Sequence, residues 1–365
     1  AGEYSKNLGV LTLDYQPDGT VTLADYQLVP IDDTLADDPE ISALVEGYKE
    51  EVERDYLSRF GLTFDQVLVE NPYPFESVDD VYATAHESNL GSLFADAYRW
   101  AARELAGETM DMSLTAAGVI RESIPQGGVT VSDVFNAASL GIGADGVPGY
   151  PLVSVYLTGD DLRAVLELDA SIYPLMSAAQ LFCSGVEYSF NTNRMIFNKV
   201  DYAALRRDDG TTEDIVDDPL CRLVTGLYCG QMLGTVEGKS FGILSITPRT
   251  ADGTAIPIDD LEDYILHDSA GNEIKEWYAI ARYLQAMDGE MDPAYSQPDG
   301  RKVVYSSWNP ISLLRSPNWV TLVVLAVALV LLIVLILIIR AVVYRVRGGR
   351  RGGGSRGYRA YRGRR

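Results

Sequence analysis

Residues Val320 to Ile339 read VTLVVLAVALVLLIVLILII, twenty positions in which Thr321 is the one polar side chain. At ~1.5 Å per residue, such a helix spans roughly the 30 Å hydrocarbon core of a bilayer. This predicts a single transmembrane helix over 319–340, with Trp319 at the outer interface. The segment from Arg340 to Arg365 carries ten arginines and no acidic residue. By the positive-inside rule it is a cytoplasmic tail, 341–365, and the bulk of the chain is extracellular at the cell membrane. Residues 1–339 then hold 20 basic against 52 acidic side chains. A body so acidic is not expected to bind nucleic acid over a broad surface, so an anionic ligand needs a local basic pocket. The Arg-Gly tail with its tyrosines has the composition of single-strand binders. Anionic inner-leaflet lipid is the expected partner instead, because a membrane stop already demands such a flank. No nucleic acid is expected.

Upstream, the pattern is that of a folded ectodomain. Leu8–Tyr15 and Val21–Ile31 flank a Pro17-Asp18-Gly19 turn and predict a β-hairpin. Asp38 and Pro39 are an N-cap and first helical residue, and Ile41, Leu44, Val45, Tyr48 and Val52 then repeat at helical spacing. In the stretch HESNLGSLFADAYRW, Ser88 or Asn89 caps a helix whose Leu90, Leu93, Phe94, Ala97 and Ala101 form one apolar face. Strands are expected at Met112–Ala116, Tyr150–Thr158, Glu187–Phe190, Arg194–Phe197, Leu220–Thr225 and Gly242–Thr247. Helices are expected at Asp160–Leu168 and Glu273–Ala286, with a short one in VSDVFNAASLG. The irregular alternation predicts an α+β, or mixed α/β, domain. Residues 291–318, rich in Asp, Pro and Ser, read as an extended stalk.

Chemistry-bearing residues are sparse. Cys183, Cys221 and Cys229 are too few for a disulfide framework or a zinc site of CxxC type, leaving buried thiols or a Cys221–Cys229 bridge. His86 and His267 are the only histidines.

HESNLGSLFADA, TAAGVIRESIPQGGVTVSDVF, SVYLTGDDLRAVLE and FCSGVEYSF, in this order, resemble the C-terminal, substrate-binding domain of the 5'-nucleotidase family. PIDDTLADDPEI with its helix resembles the family's connector. The resemblance implies that 1–37 is the last part of a metallophosphatase domain, 38–75 a connector helix and linker, and 76–290 the substrate domain. It implies a nucleotide or related phosphate ester as partner, and hydrolysis by two divalent metal ions held in a preceding domain. No cofactor site is expected in this chain itself. Arg121 falls on the arginine that closes the family's Gly-Gly-Ile-Arg loop and is expected to grip phosphate, with Gly118 giving that loop its freedom. His86 stands where the family has a second arginine, Asn89 lies in the ExNxG motif, and Ala116 replaces the loop's asparagine. The family's two base-stacking rings have no clear match: Leu140 stands near one and Tyr228 near the other, with Tyr150 a further ring on offer. The substrate-binding set is therefore Arg121, Gly118, His86, Asn89 and Tyr228, and the alternative is a non-catalytic surface module with a degenerate pocket.

Overall fold

The computed structural model describes residues 5–32, 34–217, 219–234, 244–315 and 317–349, and the chain divides at Phe64 into two compact units. In the first unit, β1 (Asn7–Tyr15) and β2 (Val21–Pro30) form the expected antiparallel hairpin. Gly19 takes a left-handed φ of 87° in its turn, a conformation that costs glycine little. Helix α1 (Pro39–Asp55) starts where expected: the Asp38 carboxylate accepts from the backbone N–H of Glu40 and Ile41. The apolar side chains of hairpin and helix remain largely exposed, including Leu11, Leu23, Ile41 and Tyr48.

The second unit opens with β3 (Val67–Asn71) and α2 (Val78–Ala83), followed by α3 (Asn89–Glu104) and β4 (Met112–Ala116). Then come β5 (Gly127–Thr130), α4 (Val131–Ala137), β6 (Leu152–Leu157) and α5 (Gly159–Ile172). The starts of α4 and α5 are capping boxes, Thr130 with Asp133 and Thr158 with Asp161. Each satisfies two backbone donors that a helix start otherwise leaves unpaired. Next are β7 (Leu181–Ser184), β8 (Val186–Asn191), β9 (Val200–Arg206), β10 (Thr212–Asp214), β11 (Cys221–Gly226) and α6 (Leu227–Gly234). Helix α7 (Glu276–Gln285), β12 (Lys302–Tyr305), α8 (Pro310–Leu313) and α9 (Trp319–Gly349) are the last of the described elements.

Two four-stranded sheets result, in the orders β6-β11-β4-β7 and β10-β9-β8-β12. In the first, β4 and β11 run parallel while β6 and β7 are antiparallel to their neighbours, so the mixed α/β expectation holds. Helix α3 buries Leu90, Leu93, Phe94, Ala97, Tyr98 and Ala101 completely. At roughly 25 cal/mol per Å² of apolar surface removed from water, that stripe is the main fastening of the domain.

Three sequence expectations need correction. The partner of β8 is β9, not Arg194–Phe197, which forms the connection between them: Arg194 N–H bonds back to Asn191 and Phe197 takes a left-handed φ of 61°. The expected strand at 242–247 lies partly outside the described residues, and 244–247 is not in a strand. Finally, 291–318 is no free stalk. It supplies β12, which extends the second sheet parallel to β8, and it buries Tyr295 and Lys302. Pattern reading missed this strand because it is four residues long and flanked by turn-forming residues.

Candidate functional site

The polar residues of the HESNLG motif are spent on holding chain segments together. Ser88 caps α3 by accepting from Gly91 N–H at 3.3 Å. The Glu87 carboxylate accepts from the backbone N–H of Asp299 (2.6 Å), Gly300 (3.0 Å) and Lys302 (3.3 Å). Asn89, buried, donates to the carbonyls of Pro74 and Tyr295, both at 3.2 Å, and accepts from Glu76 N–H at 3.4 Å. His86 Nε2 meets the Glu76 carboxylate at 3.0 Å and Nδ1 meets Thr84 O at 2.7 Å. The Glu76 hydrogen bond raises the imidazole pKa above its usual value, against the opposing effect of burial. The imidazole is thus engaged at both nitrogens, and the Asn89 amide is fully used on backbone. The sequence expectation that these two grip a ligand finds them occupied by the fold instead.

Gly118 and Arg121 sit on the loop that leaves β4. Its base is pinned where Ala117 N–H donates to Gln180 O at 2.8 Å and the Tyr82 hydroxyl donates to Ala117 O at 3.1 Å. Arg121 N–H donates to Ala137 O at 2.9 Å, while its side chain is exposed and makes no ion pair or hydrogen bond among the described residues. Burial raises the nearby Tyr82 phenol, and the charge of Arg121 opposes that rise. Among the described residues no acid pairs with Arg121, although acids outnumber bases in this chain.

Beside this loop is a cavity of about 340 Å³ between Gly118, the end of α5 at Ile172, Met176, and Tyr228, Met232 and Leu233 of α6. Its walls are mostly apolar. Tyr228 also stacks on Tyr150, with ring centroids 5.4 Å apart and planes 18° from parallel. On the Tyr150 ring, Gly141 lies so close that a Cβ there would fall 2.3 Å from ring carbons, which explains a glycine at that point of the loop.

Next to the pair lies Glu276, a residue not singled out from the sequence. Its backbone N–H donates to Tyr150 O at 2.9 Å, and its carboxyl occupies the space above Gly226, where a Cβ would fall 1.7 Å from Oε1. The carboxyl is fully buried with no hydrogen bond to the described residues; Tyr98, Thr115 and Thr225 have similarly unpartnered buried hydroxyls. Burial pushes its pKa up to about 8, and the neighbouring Tyr98 hydroxyl opposes that rise. The native state therefore holds a proton that the unfolded chain releases at ordinary carboxylate pH. This contribution to stability is complete below about pH 4.5, declines as pH rises, and is gone above about pH 8. Glu167, pushed up to about 7 by burial, adds to the same trend. Glu276→Gln is expected to flatten the fall in stability between pH 5 and 8 to the share of the other raised groups, Glu167, Glu87 and His86, measured by denaturant midpoints across pH. A fall as steep as in the parent chain would contradict the assignment.

The cysteines are buried free thiols, and Cys221 and Cys229 are not bridged. Burial pushes Cys183 and Cys229 up to about 12, which leaves them little thiolate at neutral pH. Among the described residues, no group of three or more His, Cys, Asp or Glu side chains is placed to hold a metal ion.

The β4 strand thus ends in the Gly118–Arg121 loop, which is followed by the capped α4, and Gly118 shares its cavity with Tyr228 of α6. Residues 70–228 match the model of the family described as 5'-nucleotidase, C-terminal domain, and the chain carries that domain there. The chain is 25% identical over 232 residues to the trifunctional nucleotide phosphoesterase protein YfkN of Bacillus subtilis, covering 63% of this chain and 15% of that protein. In fold it is similar to a 5'-nucleotidase precursor from Thermus thermophilus, with a TM-score of 0.54 and 21% identity over 84% of this chain and 51% of that one. A Haemophilus influenzae NAD nucleotidase aligns with a TM-score of 0.49 at 17% identity, over 83% of this chain and 54% of that one. The chain thus spans about half the length of these solved relatives, and far less of YfkN.

Proposed function

We propose that the second unit is the substrate-holding domain of a cell-surface 5'-nucleotidase-type phosphoesterase, anchored by α9 with its body outside the cell. The observation that carries this reading is Arg121: an exposed guanidinium with no ion pair among the described residues, three residues beyond Gly118 on a loop whose Gly118 and Val119 line a cavity that also includes Tyr228. A guanidinium offers two parallel N–H donors to one phosphate. In this reading Arg121 takes the phosphate side, Gly118 allows the loop to adjust, and the base stacks on the Tyr228 ring. His86 and Asn89 position the loop's surroundings rather than touch the ligand. The two divalent metals belong to a preceding metallophosphatase domain, of which 1–37 is the final hairpin and α1 the connector. The exposed apolar faces of that hairpin and helix support this, since a lone hairpin is marginally stable in water. Anchoring is supported by the length and apolarity of Trp319–Arg345, and the basic tail then lies against anionic lipid.

The test is phosphate release from a panel of nucleoside monophosphates and other phosphate esters, with manganese or zinc, by the protein as its cell expresses it. Release from nucleotides, with kcat/KM reduced by Arg121→Ala, is the expected result. Absence of release across the panel would contradict it.

A second reading, a non-catalytic surface module, is favoured by one observation. A base held between two rings needs them roughly 7 Å apart, two contacts of ~3.5 Å each, and Tyr150 and Tyr228 are stacked on one another at 5.4 Å.

A further inference from the structure

Between the last strand and α9, the chain is fastened to the domain rather than left free. Asn191 donates to Ser307 O at 2.9 Å and to Ser312 Oγ at 3.2 Å, and accepts from Ser307 N–H at 3.0 Å. Asn193 Nδ2 donates to Ser306 Oγ at 2.8 Å. The Arg194 guanidinium, buried, donates to the carbonyls of Val200 and Arg315. Asn318 donates to Phe197 O, and its Oδ1 accepts from Thr321 N–H at 3.0 Å, which caps the start of α9. Phe197 holds its left-handed backbone between this contact and a bond from its N–H to Ser171 Oγ at 2.8 Å. A non-glycine residue keeps such a conformation only where its surroundings impose it. The turn from Asn191 to Val200 and the segment from Ser306 to Asn318 are therefore one fastened surface at the entrance to α9.

That surface is apolar where it meets solvent. Trp308 is 78% exposed and Ile311 80% exposed, with Leu314, Ile196 and Trp319 also open. Neither segment carries an acidic side chain of its own: no Asp or Glu follows Asp299, and none lies in Asn191–Val200, in a chain with 52 acidic residues; the acids bonded to their edges are Glu167, which accepts from Lys199 and Val200 N–H, and Asp201, which accepts from the Tyr305 hydroxyl. Both properties are what an interfacial surface needs, because Trp and Ile partition into the head-group layer and acidic groups are repelled by anionic lipid.

We propose that Ile196, Trp308, Ile311 and Leu314 form a foot that docks into the interfacial layer of the bilayer crossed by α9, seating the domain directly on the membrane. The inference rests on α9 spanning the membrane. Interfacial docking of the foot fixes the height and tilt of the domain, so its cavity and the Arg121 loop stand at a constant distance from the lipid surface.

The test uses the full chain in nanodiscs whose lipids carry bromine near the head group, which quenches nearby tryptophan. The chain has four tryptophans, and Trp308→Phe and Trp319→Phe read the foot and the span separately; both sites are exposed, so neither substitution disturbs the core. The expected result is that each substitution removes its own share of the quenched emission. Quenching that is lost with Trp319→Phe and unchanged with Trp308→Phe would overturn the foot while leaving the span intact. A chain that fails to remain with the nanodiscs, or shows no quenching at all, would overturn both.

Discussion

Lys302→Ala is expected to cost about 3–5 kcal/mol of stability, because it leaves a buried carboxylate without its counter-charge. Lys302 Nζ lies 2.8 Å from Asp169 Oδ2, and both side chains are buried. The same ammonium donates to Leu181 O at 3.0 Å, and Asp169 also accepts from Leu181 N–H and the Tyr188 hydroxyl, each at 2.7 Å. These bonds hold four elements at one point: α5 through Asp169, β7 through Leu181, β8 through Tyr188, and β12 through Lys302 itself. The double replacement Lys302→Met with Asp169→Leu is expected to recover part of the loss, since no unpaired charge remains. Guanidinium denaturation followed by tryptophan fluorescence measures both. A loss below about 1 kcal/mol for Lys302→Ala would place the pair with ordinary surface bridges and contradict its structural weight.

Gly91→Ala is expected to destabilise by about 1–3 kcal/mol, the cost of overpacking a filled core. Helix propensity alone predicts the opposite, a gain of ~1 kcal/mol for replacing glycine inside a helix. Geometry decides between them: a Cβ at Gly91 would fall 2.1 Å from Cγ of Phe182, and the ring is buried in β7. The sheet cannot withdraw, because β7 pairs with β4 along its whole length. Phe182→Ala in the same chain is expected to make Gly91→Ala less costly, which a double-mutant cycle reads directly. A more stable single variant would show that α3 can shift away from β7.

These two sites illustrate what the sequence could and could not disclose. The helix α3, its cap at Ser88 and its buried face were legible, since period and capping residue are local signals. So was β4, and so were the helices α4 and α5, although their capping boxes went unread. The roles of the motif's polar residues were not legible, because the partners of Glu87 and Asn89 lie more than two hundred residues away, at Asp299 and Tyr295. β12 was hidden by its four-residue length and by a partner strand far back in the chain, and its pairing with β8 turns an expected stalk into part of the domain. Glu276 escaped notice for a different reason: a single acid in an apolar helix reads as a solvated charge until the fold encloses it. Of the candidate ligand residues, Arg121 and Gly118 stay on an open loop, whereas His86 and Asn89 are occupied by their neighbours. Tyr228 is held against Tyr150, a pairing no sequence spacing discloses.

The central claim is that this domain holds a nucleotide by its phosphate through Arg121. Calorimetric titration of the chain with AMP, adenosine and inorganic phosphate tests it most directly. AMP is predicted to bind more tightly than either fragment, and Arg121→Ala to weaken AMP by about 1.5–3 kcal/mol, the worth of hydrogen bonds to a charged group, while adenosine is unaffected. AMP binding that survives Arg121→Ala unchanged, or no binding of AMP at all, would contradict the account.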